Sequence, residues 1–218
     1  MKAVILDFNG TMIFDSALHV KAWTEIYYRL HPNDTSPFDA SLVCGPNNDS
    51  ILQAMAPQLT PAHRAEWSEE KEALYRAIAS SAAEPVGLVD GVEGFLQYLQ
   101  EQKIPYGLAS ASIKSNIDYY FEVYGLDRWF KKDQVVYDDG TYAHKGAMHL
   151  ECARRLGVHI RDCLLIEDSA GSVAHAKAAG AGRVIAIGIS APKQKLLSVG
   201  ADHYMADFTE FDHSWLHL

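Results

Sequence analysis

The sequence predicts an α/β protein: a doubly wound parallel sheet with a small all-α domain inserted after its first strand. Three observations lead there. Val4-Ile5-Leu6 and Cys163-Leu164-Leu165-Ile166 are apolar runs without polar alternation, as in strands buried on both faces of a parallel sheet. From residue 86 onward, strand-like and helix-like stretches alternate, the pattern of successive right-handed βαβ units. Residues 16–85 carry helical periodicity and no strand pattern. The expected division is therefore 1–15 with 86–218 for the α/β domain, and 16–85 for the helical insertion.

Each element has its own signal. After the first strand, Asp15-Ser16 offers a helix N-cap, and Val20, Trp23, Ile26, Tyr27 and Leu30 recur at helical spacing until Pro32 ends the run. A short helical stretch over 42–59 centres on Ile51, Leu52 and Met55, and a stronger one over 67–80 is rich in Glu, Lys and Ala. Beyond residue 86, helices are expected over 92–102, 113–124, 145–156 and 173–179. Strands are expected over 104–109, 134–137, 163–166 and 184–187, with a last pair around Tyr204 and Phe208. Gly125 and Gly157 mark helix ends. Right-handed crossovers then bring Asp7, Ser110 and Asp168 to strand ends on one sheet edge.

Bulk properties bound the function. With 218 residues, 48% hydrophobic, the chain can bury one sizeable core with a small appended domain. A net charge of −9 argues against nucleic acid or an anionic membrane as partner. The start leads directly into a strand and no apolar run reaches membrane-spanning length, so a soluble, cytoplasmic protein is expected, a monomer or weak homodimer. Cys44, Cys152 and Cys163 are odd in number and widely spaced, which favours free thiols over a disulfide or zinc site.

The chemistry gathers at Asp7-Phe8-Asn9-Gly10-Thr11. Asp7 ends the first strand, at the sheet edge where open α/β folds bind ligands, and Gly10 lets a backbone turn approach an anion. A carboxylate beside such a turn is either a nucleophile or the cap of a strand-to-helix turn. Two adjacent carboxylates, Glu167-Asp168, follow another buried strand, a placement that costs free energy unless a cation compensates; hard oxygen ligands suit Mg²⁺. Their other reading is a helix cap.

The pentapeptide resembles the first motif of the haloacid dehalogenase superfamily, Asp-x-Asp-Gly-Thr/Val, with Asn9 in place of the second acid. Leu108-Ala109-Ser110-Ala111-Ser112 resembles the second motif, Lys145 at a helix start the third, and Glu167-Asp168 the fourth, all in the family's order. The resemblance implies a Rossmann-like core, an aspartyl-phosphate on Asp7, and Mg²⁺ held by Asp7, the Asn9 carbonyl, Asp168 and, directly or through water, Glu167. It also implies phosphoryl contacts from Ser110, Lys145 and the Gly10, Thr11, Ala111 and Ser112 region.

The position and helical character of 16–85 resemble the cap of β-phosphoglucomutase-like phosphatases, and His19-Val20-Lys21-Ala22-Trp23 looks like their first cap helix. His19 either faces the site or is packed. Gly45-Pro46-Asn47-Asn48-Asp49 lacks the Arg of the mutase-like relatives, leaving Asn47 and Asn48 as neutral donors and favouring a monophosphate over a mutase substrate. The implied activity is Mg²⁺-dependent hydrolysis of a small phosphorylated metabolite such as a sugar phosphate. Asn9 cannot do acid–base work, which makes a pseudophosphatase that binds without turnover one alternative; a β-phosphoglucomutase-type phosphosugar mutase is the other. A hydrolytic dehalogenase needs no Mg²⁺ and is disfavoured by the Glu167-Asp168 pair.

Overall fold

The computed structural model of the chain describes residues 1–43 and 47–217. It divides into two compact units, Met1–Phe14 with Gly87–Leu218, and Asp15–Val86. The boundaries differ by one residue at each junction from the sequence expectation. Asp15 goes with the helical unit because its carboxylate accepts a 2.6 Å hydrogen bond from the Tyr75 hydroxyl and lies 3.1 Å from His19 Nε2.

The larger unit is an α/β structure with a six-stranded, all-parallel sheet. Its strands are β1 (Ala3–Leu6), β2 (Tyr106–Ile113), β3 (Val136–Asp138), β4 (Cys163–Glu167), β5 (Arg183–Ile187) and β6 (His203–Met205), in the order β3-β2-β1-β4-β5-β6. The central position of β1 explains its unbroken apolar run: it pairs with β2 on one side and β4 on the other, and all four of its residues are buried. One face packs Ile5, Leu165, Val184 and Ala186 with Met148, Cys152 and Ala153, and with Val173 and Ala176. Because the chain order reverses beside β1, the carboxyl ends of β1 and β4 flank the crevice where open α/β sheets take their ligands.

The helices are numbered along the chain. In the helical unit they are α1 (Ser16–Leu30), α2 (Asn48–Met55) and α3 (Pro61–Ser81). In the α/β unit they are α4 (Val92–Glu101), α5 (Lys114–Tyr124), α6 (Lys145–Arg155), α7 (Ala170–Ala178) and α8 (Lys193–Ser198). The helical unit closes over Trp23, Ile26, Ile51, Leu52 and Met55.

Several boundaries depart from expectation. The third helix begins at Pro61 rather than near 67, because Thr60 caps the His63 amide and Pro61 occupies the first turn. Strand β2 continues through Ser110 to Ile113, its register against β3 shifting between those residues, so Ser110 lies within the strand. Helix α8 has a single buried side chain, Leu196, too little apolar periodicity to read locally. Of the 42–59 stretch, a 3₁₀ turn at Ala40–Val43 and α2 are helical; Cys44, Gly45 and Pro46 lie outside the described residues.

Candidate active site

The carboxyl edge of the sheet gathers four ionisable side chains. Asp7 follows β1, Glu167 ends β4, Asp168 follows it, and Lys145 opens α6; all four are buried. Lys145 Nζ lies 2.6 Å from Asp7 Oδ1 and 3.8 Å from Glu167 Oε1. The Phe8 amide also donates to Asp7 Oδ1, at 2.8 Å. Burial pushes the Asp7 and Asp168 carboxyls well above the usual range. Lys145 works against this at Asp7, whereas the neighbouring Asp7 carboxylate adds to it at Asp168. Burial also raises Glu167, with Lys145 opposing. For Lys145 itself, burial favours the neutral amine, but Asp7 and Glu167 outweigh it and the pKa ends above that of an ordinary lysine.

Three carboxylates against one ammonium leave excess negative charge in a buried place. Asp7, Glu167 and Asp168 each offer an oxygen, and these atoms lie within 4.8 Å of one another. That donor set is hard, anionic and convergent, and fits a divalent cation of the Mg²⁺ kind. Gly10, at φ +72°, is part of the same construction: a Cβ there would sit 1.9 Å from Asp168 Oδ2.

Other loop residues fall differently from expectation. The backbone amides of Thr11, Met12 and Ile13 all donate to the Phe8 carbonyl, at 3.2, 2.7 and 3.3 Å, so these N–H groups do not form an anion cradle. The Thr11 hydroxyl, fully buried, has no hydrogen-bond partner among the described residues. Asn9 donates through Nδ2 to the Tyr120 hydroxyl at 2.8 Å and accepts from the Ser112 hydroxyl at 2.8 Å. Ser112 thus engages Asn9 through its hydroxyl, and its amide donates to Ser110 Oγ at 3.2 Å. Ser110 is buried and Ala111 exposed.

His149 was not singled out from the sequence. It is fully buried on α6 and lies 2.5 Å from Glu167 Oε1 through Nε2. Burial, then Lys145, pushes its pKa down to about 3, so the ring is neutral. The signal was present, because His149 stands four residues after Lys145 and shares its helix face. Ser190, in the loop after β5, hydrogen-bonds Asp168 and was also missed.

In the helical unit, His19 is bound into a buried polar cluster. Its ring stacks on Tyr75 at 4.0 Å, Nε2 faces Asp15, and Nδ1 lies 2.7 Å from Lys71 Nζ. Lys71 is also 2.7 Å from Glu72 Oε1. Asn47 caps α2, its side chain accepting from the Ser50 amide. Asn48 donates through Nδ2 to Glu72 at 2.7 Å and Ser68 at 3.0 Å, so its amide protons are engaged within the unit and the neutral-donor expectation fails for it.

The carboxyl edge thus carries an aspartate at the end of a central parallel strand, salt-bridged to a helix-opening lysine beside an acidic pair. The profile of the haloacid dehalogenase-like hydrolases matches residues 4–187, and the chain belongs to that family. It is 27% identical over 188 residues to the fructose-1-phosphate phosphatase YqaB of Escherichia coli, covering 81% of this chain and 92% of that protein. It is 25% identical to the plasmid protein CbbY of Cupriavidus necator, over 85% and 78% of the two chains. Among solved structures, a family IA, variant 3 hydrolase of this superfamily from Entamoeba histolytica superposes with a TM-score of 0.91 at 29% identity, covering 99% of this chain and 97% of that one. A β-phosphoglucomutase from Clostridium difficile shares the fold, with a TM-score of 0.76 at 18% identity over 99% and 95% of the two chains.

Proposed function

We propose that the protein is a Mg²⁺-dependent phosphatase acting on a small phosphorylated metabolite through covalent attachment of the phosphoryl group to Asp7. The observation that carries this reading is the 2.6 Å contact of Lys145 with Asp7 inside a buried trio of carboxylates. Such an arrangement keeps one carboxylate ionised and oriented while offering positive charge to an incoming anion. The relation to a fructose-1-phosphate phosphatase supports a sugar phosphate as substrate.

In this reading an Asp7 oxygen attacks phosphorus in line, the P–O bond to the alcohol breaks, and its electron pair leaves on the alcohol oxygen. Lys145 and the Ser110 hydroxyl hold phosphoryl oxygens, so catalysis is positioning and charge neutralisation. Water then attacks phosphorus and Asp7 departs as a carboxylate. Asp7, the Asn9 carbonyl, Asp168 and Glu167 would hold the Mg²⁺, which when bound would screen the negative charge that meets at this point. Glu167, oriented by His149, also holds the Lys145 ammonium.

Phosphate release is to be measured over a panel of phosphorylated metabolites, with Mg²⁺ or with EDTA, for the natural sequence and Asp7→Asn. Mg²⁺-dependent release that Asp7→Asn abolishes is expected, and release surviving either EDTA or Asp7→Asn overturns the reading. Asn9 favours one other possibility, a phosphate-binding protein without turnover. That reading predicts Mg²⁺-dependent stabilisation by inorganic phosphate and no release from any donor.

A further inference from the structure

Asn9 sits in a closed ring of side chains. Its Nδ2 donates to the Tyr120 hydroxyl at 2.8 Å, and the Ser112 hydroxyl donates to its Oδ1 at 2.8 Å. The hydroxyls of Tyr120 and Ser112 are 3.5 Å apart, and Asn116 Nδ2 approaches Tyr120 from the other side at 3.4 Å. Tyr120 therefore accepts from two amides, and the Ser112 proton goes to Asn9. The amide at position 9 is thus engaged at both ends, donating through Nδ2 and accepting through Oδ1. Tyr120 is fully buried and stacked on Phe8 at 4.4 Å, so its hydroxyl has little freedom to move.

Among the described residues, no other group on this sheet edge is well placed to give a proton to a departing group. Lys145 is bound to Asp7, and Glu167 and Asp168 belong to the carboxylate trio. His149 is buried against Glu167. The remaining groups, Thr11, Ser110, Ser112 and Ser190, are hydroxyls.

We propose that Tyr120 and Ser112 are positioning residues that build the site around a neutral amide at position 9, and that its preferred substrates are phosphoryl donors with weakly basic leaving groups, acyl phosphates above all. This rests on the phosphatase reading but departs from the sugar-phosphate substrate that the relative YqaB supports: alkyl sugar phosphates become the slow substrates. With an acyl phosphate the Asp7 oxygen bonds phosphorus, the anhydride P–O bond breaks, and the electron pair leaves as a stable carboxylate that needs no proton. In the second half, water bonds phosphorus, Asp7 is released, and the water proton passes to solvent.

The test compares kcat/KM at fixed pH and Mg²⁺ for acetyl phosphate, a series of substituted aryl phosphates and fructose 1-phosphate. The natural protein is run beside Asn9→Asp, Tyr120→Phe and the double variant; Phe at 120 keeps the ring stacked on Phe8. General acid–base assistance contributes about 10²–10⁴-fold where it operates. The natural protein is expected to favour acetyl phosphate over fructose 1-phosphate by about that factor, with rates falling steeply along the aryl series. A carboxylate at position 9 would draw the Tyr120 proton and stay tied to it. Asn9→Asp alone is therefore expected to gain little on fructose 1-phosphate, and the double variant at least about tenfold more, a non-additive effect that a merely structural Tyr120 would not produce. Acyl and alkyl donors turned over within tenfold of each other by the natural protein, or additive effects at 9 and 120, overturn the proposal while leaving a phosphatase. Absence of release from every donor overturns the phosphatase reading itself.

Discussion

Gly10 and Asp168 are in such close apposition that a single methyl group cannot be placed between them. A Cβ at Gly10 would lie 1.9 Å from Asp168 Oδ2 and 2.5 Å from Asp168 Cγ, and Gly10 has φ +72°, where an L side chain is itself disfavoured. Gly10→Ala must therefore push the Asp168 carboxylate aside and pay a backbone penalty of about 1–2 kcal/mol. We expect turnover at least about tenfold lower, since small displacements of reacting groups are costly, and a reduced melting temperature. Normal turnover by Gly10→Ala would show that Asp168 need not stay where it is.

Lys145→Met removes the ammonium that lies 2.6 Å from Asp7 among three buried carboxylates. Breaking a buried pair by deleting one partner typically costs about 3–5 kcal/mol. The variant should be less stable at pH 7 by denaturant titration. Added Mg²⁺ should recover part of the loss, and phosphate release should fall by at least about 10²-fold.

The helical unit makes an independent prediction. Lys71 and Glu72 are 2.7 Å apart and buried, with Lys71 also 2.7 Å from His19 and 5.2 Å from the Trp23 ring centroid. Lys71→Met leaves Glu72 buried with its charge uncompensated and should cost about 3–5 kcal/mol. Lys71→Met combined with Glu72→Gln should recover most of it. Equal urea midpoints for the two variants would contradict this.

Burial pushes the Cys152 thiol up to about 12 and the Cys163 thiol up to about 11. At pH 8 only about one Cys152 in ten thousand is then a thiolate, the form that reacts. In native protein treated with iodoacetamide at pH 8, the peptides bearing Cys152 and Cys163 should be unmodified, and both should be labelled after unfolding in urea.

Hydrogen bonds from Arg154 and Arg155 hold the Glu151 carboxyl down at about 2 from its usual 4.5. A folded-state pKa below the unfolded one contributes stability above about pH 4.5 that disappears as pH falls toward 2. The cluster is at the surface, so its contribution is at most about 1 kcal/mol. Glu151→Gln should melt a few degrees below the natural protein at pH 7 and together with it near pH 2.

How much could be read in advance differs from element to element. Strands β1 and β4 were evident because a strand buried on both faces must be apolar throughout, a property of consecutive residues. Asp7, Lys145, Glu167 and Asp168 stand at element ends, and their gathering follows from βαβ topology once those ends are known. Helix α8 and the extension of β2 beyond Ser110 were not legible, because neither carries its own apolar period.

The chain's local patterning alone thus determined the α/β class, the helical insertion and which carboxylates lie at strand ends, since each depends on neighbours within a few positions. Only the tertiary structure decided that Tyr120 and Ser112, 111 and 103 positions away, close on Asn9. It alone showed that the Thr11 amide turns to Phe8, and that Lys71 and Glu72, in a helix rich in Glu and Lys, are buried. A hydrogen bond joins groups that come close in space, and for residues this far apart their order along the chain carries almost no information about that distance.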